Sequence, residues 1–162
     1  MSPETWESFF LGELGAAAAL GGLLFVSLSI NIERIVKSGG LPERGLEALL
    51  VLMAILIGSS LMLMPHQNIA AQGWEILGVG AVTWAIGTRV CLIGSKRTSK
   101  DFRREARQSL ILFQIASLPY LVAGGLLAAG RESGFYWLGA TMLLGFAKAV
   151  LQAWVLLVEI HR

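Results

Sequence analysis

Charged residues are scarce in this sequence. Of its 162 residues, 15% are Asp, Glu, Lys or Arg, whereas 55% are hydrophobic, and the mean hydropathy is +0.67. A soluble domain usually has about 25% charged residues. Here, several stretches of membrane-spanning length contain hardly any charge. The composition therefore excludes an ordinary soluble protein and predicts an integral membrane protein.

Cysteine and histidine are almost absent as well. Because Cys91 is the only cysteine, an intramolecular disulfide, a CxxC redox pair and a cysteine-based zinc site are excluded. His66 and His161 lie on opposite predicted sides of the membrane and cannot share a metal ion. The sequence also lacks GxSxG, HExxH, P-loop and GxGxxG motifs and the paired membrane carboxylates of an aspartyl enzyme. We expect no metal, no cofactor and no enzymatic activity.

Five apolar segments are long enough to cross a bilayer, for which a helix needs about 20 residues. They cover approximately residues 9–32, 46–64, 74–94, 108–130 and 135–160. The predicted fold class is therefore all-α, a single polytopic transmembrane helix bundle over residues 1–162. Pro119 falls within the fourth segment, where it should kink the helix or open one backbone hydrogen bond.

Lysine and arginine alternate between the two sides of this predicted bundle. The first and third loops and the C-terminus together contain ten of them, whereas the opposite side has only Arg131. Short loops rich in positive charge stay in the cytoplasm, so the N-terminus is predicted outside and the C-terminus in the cytoplasm. A four-span arrangement would put a basic end on the wrong side. Because this topology also accounts for the pI of about 9.0, we expect no nucleic-acid binding.

The predicted loop over residues 95–107 is strongly basic. Its six positive residues are Lys96, Arg97, Lys100, Arg103, Arg104 and Arg107. Either the loop is an ordinary positive anchor on the cytoplasmic side, or it is a patch that binds anionic lipid or an acidic partner. Replacing Lys96, Arg97, Arg103 and Arg104 by Gln is expected to alter the orientation of the protein before anything else.

Small residues line one face of the first span. Gly15, Gly22 and Ser29 recur every seven residues, while Gly15 with Ala19, and Ala18 with Gly22, form small-xxx-small pairs. In lipid, small side chains let two helix backbones approach closely, so this face is a predicted helix contact. The contact is either packing within the bundle or the interface of a homo-oligomer. A similar strip follows the third span, at Gly80, Thr83 and Gly87.

Lys148 lies near the midpoint of the fifth span. An ionised lysine at the bilayer centre costs about 2.5 to 3.5 kcal/mol on insertion scales, so a partner must stabilise it. We expect no Asp or Glu at this depth, because Glu47 is predicted at the cytoplasmic end of the second span. The predicted polar seam consists of Lys148, Gln152, Thr141, Gln114 and Ser117.

The sequence leaves three interpretations of Lys148 open. It bonds to Gln152, Gln114 and backbone carbonyls as a structural element, it lines a water-filled path or an anion site, or it pairs across a subunit interface. Two further charges lie within the predicted spans. Arg89 can extend its guanidinium to the cytoplasmic interface, and Glu13 can reach outer water or pair with a cation in the bundle.

The first part of the sequence resembles a known group of proteins. FFLGELGAAAALGGLLFVSLSINIERI and the following GLPERGLEALLVLMAILIGSSLMLMP are similar to small bacterial multi-pass membrane proteins of uncharacterised function. Some members of that group are labelled modulators of a membrane-bound protease. The resemblance covers about the first 65 residues and depends on the Ala/Gly-rich first span, Ser-Ile-Asn with the following Glu-Arg, and Leu-Pro-Glu-Arg. It implies a bacterial inner-membrane protein and no catalytic residue.

These patterns together predict a non-catalytic membrane protein, structural or regulatory, that acts through helix packing. Its partners are the lipid bilayer and either a second copy of the chain or another membrane protein. The alternative is a small channel or transporter for ions or solutes that uses the polar seam around Lys148. Five spans seldom enclose a pathway alone, so this alternative needs an oligomer.

The predicted topology is tested by attaching a reporter tag to either end of the chain. Because an odd number of spans separates the termini, we expect a C-terminal tag to react only from the cytoplasmic side and an N-terminal tag only from the outer side. Labelling of intact and permeabilised cells measures this accessibility. If both tags react from the same side, the five-span topology is rejected.

Overall fold

Helices form all the regular structure of the described residues. The computed structural model describes residues 4–37, 40–97 and 103–160. The helices are α1 (Glu4–Ile30), α2 (Ile32–Lys37), α3 (Leu41–Met62), α4 (Ile69–Arg97), α5 (Arg103–Ala128) and α6 (Ser133–Ile160). All except the short α2 are long and apolar enough to cross a membrane. The all-α fold class and the prediction of five helices long and apolar enough to span a membrane are therefore confirmed.

α3 begins earlier than the sequence predicts. The chain turns at Gly40, whose φ of 92° is left-handed, and α3 starts at Leu41 with Pro42 in its first turn. Proline suits this place because the first N–H groups of a helix have no partner within it. The helix thus extends about one and a half turns ahead of the predicted start at residue 46. Glu47 consequently lies within α3 and not at its first residues.

Local hydrogen bonds define the start of α4 and the end of α5. The side chain of Asn68 caps α4, because its Oδ1 accepts a hydrogen bond of 2.6 Å from the backbone N–H of Ala71. α5 continues through Pro119 without interruption. It ends at Ala128 and is followed by a turn with a left-handed Gly130, whose φ is 72°. A hydrogen bond of 2.9 Å from the N–H of Arg131 to the carbonyl of Leu126 closes this turn.

Aromatic rings join the first turns of α1 and α6. Trp6 stacks on Phe135 with their ring centroids 6.0 Å apart, and it meets Tyr136 edge-on at 4.9 Å. These two helices therefore start at the same end of the bundle, which we call the aromatic end. Several positive residues lie at the opposite end of the bundle, near the ends of the helices there, and we call it the basic end. Those residues are Arg34, Lys37, Arg44, Lys96 and Arg107.

α3 is the central span of the bundle. It packs against α1, α4 and α6, while α5 packs against α4 and α6. Within the apolar windows of these helices, 56% of the α3 residues are buried, compared with 22% for α1. α1 therefore lies at the edge of the bundle. It is held chiefly by α3, through a buried face that includes Phe10, Ala17 and Leu24.

Glycine residues bring α4 and α5 close together. Gly73, Gly80 and Gly87 recur every seven residues on α4, a spacing that keeps one helix face toward its partner in a left-handed pair. A Cβ built at Gly73 would lie 2.0 Å from the backbone nitrogen of Ala128, and one at Gly87 would lie 2.0 Å from the ring of Phe113. The glycine strip predicted on the third span is thus a contact within the bundle.

A methyl group at Gly73 should push α4 away from α5. The atom it would meet belongs to the α5 backbone, which cannot rotate away, so we expect Gly73→Ala to lower the free energy of unfolding by about 1 to 3 kcal/mol. Equilibrium unfolding in mixed micelles measures this loss. The matched control is Gly78→Ala on the same helix, because a Cβ at Gly78 meets nothing within 4 Å. Equal stability of the two variants would contradict the close α4–α5 contact.

Candidate functional site

An ion pair between α3 and α6 is buried inside the bundle. The Nζ of Lys148 on α6 donates a hydrogen bond to the Oε1 of Glu47 on α3. The two residues are only 5% and 2% exposed. Gly145 lies one turn before the lysine, where a Cβ would come within 3.1 Å of Val51 and Ile55 on α3. The absence of a side chain at Gly145 therefore lets α3 approach α6 beside the pair.

The Glu47 carboxylate also receives hydrogen bonds from other side chains. Ser109 on α5 donates through its hydroxyl at 3.3 Å, and Gln152 on α6 donates through its amide at 3.4 Å, both to Oε2. The Cys91 thiol on α4 lies beside the same carboxylate. Glu47 is thus a polar junction of four spans, α3, α4, α5 and α6.

An aromatic ring completes the surroundings of the lysine. The Nζ of Lys148 lies 5.5 Å from the ring centroid of Phe113 on α5, within range of a cation–π attraction. The same ring lies under Gly87 of α4. The ammonium group is therefore compensated by one carboxylate and one aromatic face, both from the same chain.

The expectation that no acid lies at the depth of Lys148 is wrong. Because Glu43 and Arg44 are charged, the sequence predicts that the second span starts after them, but both belong to the first turn of α3. Glu47 therefore lies inside the helix, and the long lysine side chain reaches it from α6. The sequence did contain a signal for the earlier start, since Gly40 followed by Pro42 is typical of a helix N-terminus.

The predicted polar seam does not form one continuous path. Gln152 joins Lys148 through their shared carboxylate, as described above. Gln114 instead bonds α4, accepting from the Trp84 ring N–H at 2.7 Å and donating to the Thr88 hydroxyl at 3.0 Å. The hydroxyls of Ser117 and Thr141 donate to carbonyls of their own helices, at 2.7 and 2.8 Å.

A small polar cavity lies beside Glu47 toward the basic end. Its volume is about 20 Å³, which is room for one water molecule. Polar walls come from Glu43 and Arg44 on α3, Ser95 on α4 and Ser109 on α5. A small cavity with several polar groups in its wall therefore lies between the acid of the ion pair and the basic end of the bundle.

The predicted packing face of α1 lies on the outside of the bundle. We define the α1 small face as Gly15, Ala18, Ala19, Gly22 and Ser29, all of which are exposed. A Cβ at either of its two glycines would meet nothing within 4 Å, and the serine hydroxyl bonds back to the carbonyl of Phe25 at 2.8 Å. The described part of the bundle does not cover this face, so its interpretation as a contact within the bundle is wrong. The interpretation as an interface with another molecule stays a prediction.

The other predicted site residues are dispersed. Lys96 and Arg107 are exposed at the basic end, and Arg89 is exposed along α4. The backbones of Arg97, Arg103 and Arg104 are helical, whereas Lys100 lies outside the described residues. Glu13 is only 8% exposed, so it lies against the bundle and does not extend into outer water. Within residues 4–37, 40–97 and 103–160, no three His, Cys, Asp or Glu side chains form a group that could hold a metal ion.

Removing one partner of the ion pair should destabilise the fold. We expect Lys148→Met and Glu47→Gln each to lower the free energy of unfolding by about 3 to 5 kcal/mol, because each leaves a buried charge without its partner. The double variant should lose less than the sum of the two single losses. Equilibrium unfolding in mixed micelles measures all three.

The control for this cycle is Lys96→Met, which removes an exposed charge and should change the free energy of unfolding by less than about 0.5 kcal/mol. Additive losses in the double variant would show that Lys148 and Glu47 do not stabilise each other.

Comparison with known proteins adds no family to this description. No family model, no curated protein and no solved structure matches the chain. The resemblance to small bacterial membrane proteins therefore stays a prediction.

Proposed function

We propose that this chain is a non-catalytic protein of the bacterial inner membrane, structural or regulatory, that acts by packing the α1 small face against a transmembrane helix of another molecule. The partner is a second copy of the chain or a different membrane protein. The N-terminus is outside and the C-terminus in the cytoplasm, so α1 enters the bilayer from the outer side.

The observation that supports this proposal is a contrast between two glycine-rich faces. On α4, the glycines at seven-residue spacing each face α5 at close range, and a Cβ at Gly73 or Gly87 would collide with it. On α1, Gly15 and Gly22 have the same seven-residue spacing, yet both are exposed and meet nothing within 4 Å. A face of this kind gains stability in lipid when a second helix approaches it closely. The bundle itself supplies no such helix among the described residues.

The interior of the bundle supports a role without catalysis. The charges of Lys148 and Glu47 compensate each other within one chain and are nearly inaccessible. Their neighbours Ser109 and Gln152 also donate to the carboxylate, which occupies the polar groups that a reaction would need. The arrangement serves to hold helices together.

Association through the α1 small face is tested in bilayers. We expect fluorescently labelled wild-type protein to associate, as counted by single-molecule photobleaching at low density in vesicles. The double variant Gly15→Leu/Gly22→Leu should weaken association by about tenfold or more, about 1.4 kcal/mol, because large side chains keep the helices apart. It should keep the stability of the wild type, since a Cβ at either position meets no described residue within 4 Å.

The matched control for size and hydrophobicity is Gly78→Leu on α4, which is also exposed with nothing within 4 Å and should leave association unchanged. A different membrane partner is distinguished by a photo-crosslinking side chain at Ala19 in native membranes. Self-association gives cross-links between copies, whereas another partner gives a cross-link of different mass. A monomeric wild type in vesicles, together with no cross-link at Ala19, would reject the proposal.

A second candidate function is a small ion or solute channel or transporter, which would act as an oligomer. The cavity beside Glu47 supports it, because room for one water molecule adjoins the acid of the buried ion pair on the side of the basic end. Ser109 contributes both to this cavity and to the carboxylate. Ser109→Ala keeps the ion pair and should change the rate of solute flux into proteoliposomes. Flux no greater than that of protein-free liposomes would reject this candidate.

A further inference from the structure

A second buried acid lies between α1 and the rest of the bundle. Glu13 is on the buried face of α1, between Phe10 and Ala17, and is 8% exposed. Its Oε2 has no hydrogen-bond partner among the described residues. This carboxyl differs from that of Glu47, which accepts hydrogen bonds from three other side chains.

A second polar group near Glu13 is also without a partner. The hydroxyl of Tyr120 on α5 has no hydrogen-bond partner within the described part of the chain, and the residue is 3% exposed. The Glu13 carboxylate lies within electrostatic range of this hydroxyl. Glu13 on α1 and Tyr120 on α5 thus each have one unpartnered polar atom, and both residues are more than nine-tenths buried. Buried polar groups in proteins nearly always have partners, so this arrangement calls for an explanation.

The charged groups on neighbouring helices do not compensate Glu13. Those of α3 and α6 in the interior are Glu47 and Lys148, which pair with each other. Trp6 stacks on Phe135; Glu13 is seven residues beyond Trp6, and Lys148 is thirteen beyond Phe135. The lysine therefore lies about 9 Å farther from the aromatic end.

Among the described residues, the remaining neighbours of Glu13 provide no counter-charge either. The acid of α4 near the aromatic end, Glu75, accepts from the amide of Gln67 at 2.9 Å. On α5 the titratable neighbour is Tyr120 itself, which is uncharged, and Glu7 on α1 is exposed. The charges of α2, which are Glu33, Arg34 and Lys37, lie beyond the far end of α1. Among the described residues, no cation faces Glu13.

We propose that Glu13 is a proton-binding site, whose carboxyl carries a proton in the folded protein at neutral pH with the Tyr120 hydroxyl as its polar neighbour. An ionised carboxylate without a cation is far more costly in an apolar surrounding than the neutral acid. Lys148 provides this compensation for Glu47, and no described residue provides it for Glu13. The inference goes beyond the proposed function and does not depend on it, because it concerns the opposite face of α1.

The bound proton has a consequence for the position of α1. The face that contains Glu13 is the one that holds α1 to α3. The neutral acid can remain in this contact, whereas the ionised form draws water or a cation into it. Proton loss from Glu13 therefore loosens the outermost span of the bundle.

Labelling with a hydrophobic carbodiimide tests the proposal on the wild-type protein in lipid vesicles. The protonated carboxyl adds across one C=N bond of the reagent: the carboxyl oxygen bonds to carbon and the proton goes to nitrogen. The adduct then rearranges to a stable N-acylurea of the same mass. We expect this adduct on the peptide with Glu13, decreasing as the pH is raised, and none on Glu47. An unlabelled Glu13 throughout the neutral range would overturn the proposal.

Infrared spectroscopy gives a second measurement that requires no reagent. The wild type at neutral pH should show the C=O stretching band of a protonated carboxyl, and Glu13→Gln should lack it. Tyr120→Phe should shift this band without removing it, because the acid keeps its proton but loses its polar neighbour. A wild-type spectrum with only ionised carboxylate bands, or a protonated band that persists in Glu13→Gln, would overturn the proposal.

Discussion

The carboxylate of Glu47 is the interaction on which the arrangement of four spans depends. Apolar side chains cannot alone decide how helices align in a bilayer, because lipid tails are as apolar as leucine. A buried charge can decide it, because Lys148 is tolerated only where an acid meets it. By accepting from Ser109 and Gln152 as well, the carboxylate fixes α5 and α6 relative to α3. Glycine contacts between α4 and α5 then close the bundle.

The sequence is sufficient to predict the number of helices of membrane-spanning length, because hydropathy over about 20 residues reflects the thickness of a bilayer. It does not predict the short α2. The glycine strip of α4 is predicted for a similar reason, since seven-residue spacing has a direct geometrical meaning. The partner of Lys148 is not predicted. Finding it requires the start of α3, which Glu43 and Arg44 obscure, and the rotation of α3 about its own axis. Neither quantity follows from hydropathy.

The two faces of α1 show the same limit. Spacing alone identifies Gly15, Ala19 and Gly22 as one face, but it cannot say whether that face meets the bundle or the lipid. The structure places Phe10, Glu13 and Ala17 inward, so the small residues point away. The larger side chains make the better contact with α3, whereas a face of glycine and alanine leaves more of its backbone accessible. A buried acid on the contact side could not be distinguished by sequence from one that reaches outer water.

Because Glu47 and Lys148 are far apart in the chain, they enter the membrane at different times during biosynthesis. The two residues are 101 positions apart, and α6 leaves the ribosome after α3. Glu47 therefore enters the membrane when its counter-ion has not yet been made. Until α6 arrives, α3 has to remain near the interface, stay within the insertion machinery or carry its acid in neutral form.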